Sequence, residues 1–326
     1  MFKRPFILLF TVLFLCAMVS CEPRNTFYRE NGNGMGGFYM GWFKQQLMYK
    51  ASSDEMLAKQ AQYAKKPSKR VAAYYGLASR RSDRCFDVLL NEITDKDSLW
   101  ISWGDLWGKA TVSELMLNIS FEDSLLFTKE QKITIDSAIV FGSGLEHLDK
   151  SGSASRLFGY DGLYERIREL YLSGDSNLLP ILADYKNPGD IPLIVDALRE
   201  YRLFDYGEID YGENHTDIFG RTDEALAAVM NWPNDTFVPL LEELKDSCLF
   251  QGYSYYHREV LFYKAVMAYD NDWAYSLIED LFENKEVYSL RDDEDEILYR
   301  AYSKEKEKPR FLPLIEKFGK KPIWED

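Results

Sequence analysis

The chain has 326 residues, 46% hydrophobic and 15% aromatic, which is enough for one extended domain or two compact ones. Its 53 acids against 39 Lys and Arg give a formal charge of −14. That excess disfavours DNA, RNA or anionic lipid as a general partner.

In chain order, Lys3 and Arg4 precede an unbroken apolar run from Phe6 to Val19. The run is short for a helix that must cross roughly 30 Å of hydrocarbon. Its length and basic leaders match a secretory h-region. Ala17-Met18-Val19-Ser20 then stands directly before Cys21. This resembles a bacterial lipobox, the signal cut by the lipoprotein signal peptidase, with Met18 in the usual Leu position. The resemblance implies that residues 1–20 are removed and that Cys21 becomes the lipidated first residue. It also implies a lipid-anchored protein of the bacterial cell envelope, with the outer membrane the expected site. A diacyl or triacyl cysteine anchors durably, whereas one acyl chain does not. An ordinary secretory peptide beside an incidental cysteine and a retained anchor are the alternatives. Processing would leave 306 residues with a charge of about −16.

Residues 21–52 read as the lipidated cysteine and a tether. Asn31-Gly32-Asn33-Gly34-Met35-Gly36-Gly37 is too glycine-rich to hold a helix cheaply. It has neither a preceding buried strand nor a Gly-Lys-Ser/Thr, so it is no phosphate loop. Residues 53–326 read as one all-helical domain. Six segments carry apolar residues at relative positions 0, 3, 4 and 7, which share a helix face. They are Phe86-Leu89-Leu90-Ile93, Leu178-Ile181-Leu182-Tyr185, Ile191-Ile194-Val195-Leu198, Phe237-Leu240-Leu241-Leu244, Ala274-Leu277-Ile278-Leu281 and Phe311-Leu314-Ile315-Phe318. Asp83, Ser176, Asp190, Asp235 and Asp272 are the expected caps. Upstream partner helices are expected around Tyr74, Ile167, Val229, Ala265 and Ala301. Such hairpins cannot bury an apolar face alone and must stack.

The runs Leu178-Leu179-Pro180-Ile181-Leu182, Phe237-Val238-Pro239-Leu240-Leu241 and Phe311-Leu312-Pro313-Leu314-Ile315 resemble the second helices of HEAT or armadillo repeats. The resemblance implies an α-solenoid of short antiparallel helix hairpins. The three prolines stand 59 and then 74 residues apart, so the repeats read as irregular. Another all-helical fold and an α+β fold are the alternatives.

Two stretches interrupt the pattern. Trp100, Trp103 and Trp107 recur three and four apart, a spacing that a short helix would align. They are a candidate aromatic platform for a protein, peptide or sugar, or else seam filling between hairpins. Residues 202–220, with Tyr206, Tyr211 and His215, read as an inserted loop and a second candidate surface.

Catalytic constellations are sparse. His147, His215 and His257 form no HxxH or HExxH, so neither a metal nor a cofactor is expected. The acidic run 292–296 reads as a solvated turn leading a helix and not as a calcium loop. Cys85 and Cys248 are open to pairing or to life as buried thiols. The expected function is a membrane-anchored scaffold that binds a protein or peptide, held to the membrane through Cys21, and not an enzyme. A carbohydrate-binding or helical glycan-processing protein is the alternative.

Overall fold

The computed structural model describes residues 26–28, 45, 47, 49–103, 106–200, 216–246, 256–288, 290, 293–303 and 308–321. Helices dominate, with one three-stranded sheet. The chain divides into two compact units, Met1–Leu148 and Asp149–Asp326.

The first unit opens with β1 (Thr26–Tyr28), then α1 (Asp54–Tyr63), α2 (Pro67–Ala78) and α3 (Arg84–Glu92). Strands β2 (Ser98–Trp103) and β3 (Leu106–Thr111) form a hairpin, followed by α4 (Val112–Glu122) and α5 (Lys129–Phe141). The sheet order is β1-β2-β3, with β1 parallel and β3 antiparallel to β2. Helix α2 is the centre of this unit, packing on α1, α3, α4, β1 and β2. Its Tyr74 and Leu77 are fully buried with Leu57, Leu89 and Phe27. Tyr74 is satisfied at 2.5 Å by Ser120 Oγ, which also donates to Met116 O. Burial pushes the Tyr74 phenol far up, so it remains a neutral core group. Thr111 with Glu114 and Thr128 with Gln131 form capping boxes that start α4 and α5.

The second unit holds α6 (Ser151–Arg156), α7 (Leu163–Leu172), α8 (Leu179–Asp184), α9 (Ile191–Glu200) and α10 (Thr216–Asn231). It continues with α11 (Val238–Asp246), α12 (Tyr256–Met267), α13 (Asp272–Glu283) and α14 (Lys285–Tyr288). It closes with α15 (Glu294–Ser303) and α16 (Leu312–Phe318). Helix α10 packs on α8, α9 and α12, and α12 packs on α15. Helix α9 packs on α11, and α13 on α16.

Four helices here begin alike. A three-residue 3₁₀ turn leads directly into α8, α9, α11 and α16, and proline is the second helical residue of each. Proline suits that place because the first amides of a helix have no partner to lose. The residue closing the turn is buried in all four: Leu178, Asp190, Phe237 and Phe311.

From α10 onward the buried positions recur at a constant interval. Phe237, Ala274 and Phe311 stand 37 residues apart, as do Leu240, Leu277 and Leu314, and all are buried. On the preceding helices Leu226, Phe262 and Leu298 recur at 36, as do Val229, Ala265 and Ala301. The 74-residue gap between Pro239 and Pro313 is thus two intervals of 37, the middle one carrying Ser276 in place of proline.

All six apolar segments and their five upstream partners fall on helices, with Ile93 and Tyr185 in the turns just past the helix ends. Several details differ from expectation. The side chains that cap are Asn187, Asn234 and Asn271, each directly ahead of or near the expected acid, and they accept from Gly189, Thr236 and Ala274 amides. Asp235 and Asp272 instead sit in the first turn, where a carboxylate favours the positive end of the helix dipole. Helix α10 begins at Thr216, inside the stretch read as a loop. Glu294 of the acidic run is fully buried and accepts from Tyr263 Oη at 2.5 Å, not solvated. Strand β1 falls inside the expected tether, with Phe27 in the core.

Gly76 gives a direct test of the packing in the first unit. A Cβ there would collide with the Cβ of Tyr49 and press on Leu57 at 3.2 Å. Tyr49 Cβ is fixed to its backbone and cannot rotate away. Gly76→Ala gains helix propensity of about 1 kcal/mol but overpacks at a cost of about 1–3 kcal/mol. Urea unfolding should therefore show net destabilisation, and unchanged or raised stability would refute the close approach.

Candidate functional site

The tryptophan stretch is a β-hairpin, not a helix. Its register pairs Trp100 with Lys109, Ser102 with Trp107 and Trp103 with Leu106. The reason lies in the flanks: β-branched and aromatic residues pair well across strands, and Thr111 is fixed as the cap of α4. A spacing of three, which a helix aligns, puts residues on opposite faces of a strand of period two. Trp100 is half-buried, and the Lys109 ammonium lies 5.1 Å from its ring centroid. The side chains of Trp103 and Trp107 lie outside the described residues, as do Cys21, Tyr206, Tyr211 and His215.

Strand β1 joins two features that are far apart in the chain. Thr26 pairs with Trp100, Phe27 with Ile101 and Tyr28 with Ser102. Cys21 is five residues before Thr26, so its Cα lies within about 18 Å of that strand even when fully extended. The candidate lipidation site and the aromatic hairpin therefore belong to one neighbourhood, a relation with no local signal in the sequence.

The base of the hairpin is clamped by a buried arginine. Arg70 on α2 reaches Asp95 at 2.8 Å and Asp97 at 2.6 Å, and donates to Ala64 O at 3.0 Å. Ser113 donates to Asp95 O and meets His147 Nε2 at 2.8 Å. Glu92 adjoins this cluster. Burial, then the charge of Asp95, pushes its carboxyl up to about 7.

An open cleft of about 490 Å³ lies between the C-terminal ends of α2 and α4. Tyr75, Ala78 and Ile119 give it apolar walls, and Arg80, Arg81, Glu122 and Asp123 give it charge. Arg81 adopts a left-handed φ of 52°, and its Nε meets Asp123 at 2.7 Å. Arg80 meets Asp54 at 2.9 Å and also donates to Ser52 O and Tyr49 O. Both guanidinium groups are thus engaged by this chain's own acceptors, which suits the cleft poorly to an anionic ligand.

In the second unit an aromatic patch forms around the α6–α7 connection. Phe158 and Tyr160 are about half exposed, and Phe158 meets the Tyr185 ring at 4.7 Å. Tyr164 lies behind, 5.3 Å from Tyr185. Asp190 holds this patch in place: it accepts from Tyr164 Oη at 2.8 Å and Arg168 Nε at 2.9 Å. It occupies the position filled by Leu178, Phe237 and Phe311 in the other three turns, an ionic substitute for an apolar plug. Burial and then the Asp190 hydrogen bond raise the Tyr164 phenol.

Further along, polar contacts link successive helices. Arg258 pairs with Asp223 at 2.7 Å, Lys245 with Asp280 at 2.9 Å, and Lys317 with Glu283 at 2.7 Å. Tyr269 Oη donates to Asn234 O, the capping residue one interval earlier. Burial and then the charges of Asp223, Asp149 and Asp175 push Glu224 up to about 7.

Cys85 is a buried free thiol, pushed up to about 12 chiefly by burial, and so is unreactive near neutral pH. Among the described residues no group of three or more His, Cys, Asp or Glu side chains is placed to hold a metal ion. Among them, too, no helix is long and apolar enough to cross a membrane.

Charge is divided unequally between the units. Residues 21–148 hold 16 acids and 16 bases, whereas residues 149–326 hold 37 acids against 21 bases. The net charge of residues 21–326 therefore resides in the second unit. Compared with protein-family models, curated proteins and solved structures, the chain matches none.

Two outcomes test this account. Glu92 and Glu224 bind protons more tightly folded than unfolded, so stability should fall as pH rises from about 4.5 to about 7. Asp54, Asp123 and Asp280 are shifted down from 3.8 and act with opposite sign only below that window. Thermal melts of a Glu92→Gln, Glu224→Gln double variant should lose most of this slope, and an unchanged slope would place its origin elsewhere. Asp190→Ala should cost about 1–3 kcal/mol by stripping Tyr164 and Arg168 of their acceptor. Asp190→Leu should recover part of that loss if the position is an apolar plug, as measured by urea unfolding.

Proposed function

We propose that this is a lipid-anchored protein of the bacterial cell envelope, whose second unit is an α-solenoid of helix hairpins that binds a protein or peptide partner. The 37-residue recurrence of buried positions from Phe237 to Ile315 carries the reading. Hairpins stacked at a constant interval present a continuous face of equivalent side chains, a surface suited to extended partners. The excess of 37 acids over 21 bases in that unit supports a partner with a basic segment. Anchoring rests on the sequence around Cys21, where acylation would hold the chain at a bilayer while the acidic unit recruits its partner.

The test is affinity capture from detergent-solubilised membranes of the native host, with Cys21→Ser as control. The parent chain should partition into the detergent phase and incorporate a palmitate analogue, and the variant should do neither. A defined protein should be recovered reproducibly, and raised salt should weaken its capture. Recovery of no protein, together with binding to glycans, would replace this reading with a carbohydrate-handling one in which Trp100, Phe158 and Tyr160 are the stacking platforms.

A further inference from the structure

Residues 21–148 are neutral overall, but their bases are not evenly placed. From Met56 to Ser82 the chain holds seven Lys and Arg and no acid. Arg70, Arg80 and Arg81 are occupied by Asp95, Asp97, Asp54 and Asp123. The four lysines are exposed, and no ion pair joins them to any described residue. On α1, Met56, Lys59 and Tyr63 stand three and seven apart and share the face opposite the buried Leu57, Ala58 and Ala61. Met56 is 51% and Tyr63 75% exposed, values high for large apolar bodies. Lys65, Lys66 and Lys69 follow at the turn into α2, with Lys66 as its N-cap residue. The neighbouring acids in the chain are Asp54, held by Arg80, Glu55, one position before Met56, and Asp83, one position after Ser82.

We propose that this face, made by Met56, Lys59 and Tyr63 with Lys65, Lys66 and Lys69, docks the first unit on a bilayer surface of anionic headgroups. The proposal rests on the lipid-anchored reading above, and two features favour a membrane over a protein occupant. Strand β1 packs on α2, and only residues 22–25 separate it from Cys21, so an acylated chain holds this unit within about 18 Å of the bilayer. The composition also fits: tyrosine sits at the headgroup level, lysine stems lie along apolar surface, and lysine is depleted at protein interfaces. The charge excess of the whole chain argues against such a surface only if it is spread evenly, and it is concentrated beyond residue 148.

The mature chain with Cys21→Ser is tested by co-sedimentation with vesicles of phosphatidylglycerol and phosphatidylcholine, against phosphatidylcholine alone. It should bind the anionic vesicles, and raised salt should release it. Each lysine near such a surface contributes about fivefold in partitioning, so reversing Lys59, Lys65, Lys66 and Lys69 to Glu should abolish binding. Tyr63→Ala should weaken it more modestly. If the reversed variant melts early, the same four positions changed to Gln carry the test. Equal binding to both vesicle types, or unaltered binding by a folded charge variant, would overturn the proposal. A separate measurement isolates the anchor, because detergent-phase partitioning of the chain with Cys21 intact reports acylation alone. Partitioning without vesicle binding by the Cys21→Ser chain leaves the anchor standing and removes the docking face. Vesicle binding without acylation does the reverse.

Discussion

The constraint on which the rest of this structure depends is the shortness of its helices. Apart from α10, those described run from one to about three and a half turns, below the length at which an isolated helix holds together in water. Each must therefore cover its apolar stripe with a neighbour's. From α10 onward this is met by buried positions that recur. The same register positions, 36 or 37 residues on, supply the covering side chains. In the first unit it is met by centralisation, with α2 touching nearly every other element. A strain on α2 is thus shared by the whole unit, and this is why Gly76, where Tyr49 crosses closest, is a glycine.

Periodicity made the helices legible because burial on one face leaves a trace every third and fourth residue. It is a trace of burial, however, and not of helix as such. The tryptophans at 100, 103 and 107 carry the helical spacing in a hairpin whose identity is decided by pairing, a long-range property that no local window reports. Strand β1 is harder still: three residues, Thr26–Tyr28, become a strand only because Trp100–Ser102 lie beside them. Asp190 looks in sequence like a helix cap. It is a buried acceptor because Tyr164 and Arg168 approach it from a helix more than 20 residues earlier. The 37-residue interval was partly hidden by proline, which marks two of three equivalent helices and is replaced by Ser276 in the middle one. Cys21, Tyr206, Tyr211 and His215 lie outside the described residues, so those sites rest on sequence alone.

Electrostatics divides the chain along the same boundary as packing. In the first unit the arginines of α2 and its C-terminal turn are paired internally, whereas the four lysines between Met56 and Ser82 are exposed. Arginine's rigid fork suits the buried clamp at the hairpin base, whereas lysine's hydrated point charge suits a surface. In the second unit basic side chains join successive helices, as at Arg258, Lys245 and Lys317, and the 37 acids outnumber the 21 bases.

Placing β1 in the sheet changes what a lipid at Cys21 would do. With a tether running to residue 52, an anchored domain could roam tens of ångströms from the bilayer, and the lipid would serve only as an address. With Phe27 locked in the core six residues after Cys21, an acyl group there would act as a positional constraint. Any load on such an anchor would pass through β1 into β2, the strand that carries Trp100, and from the hairpin base into Arg70 on α2. Membrane attachment and the stability of the first unit would then be coupled through one short strand, whose parallel pairing is its weakest ladder.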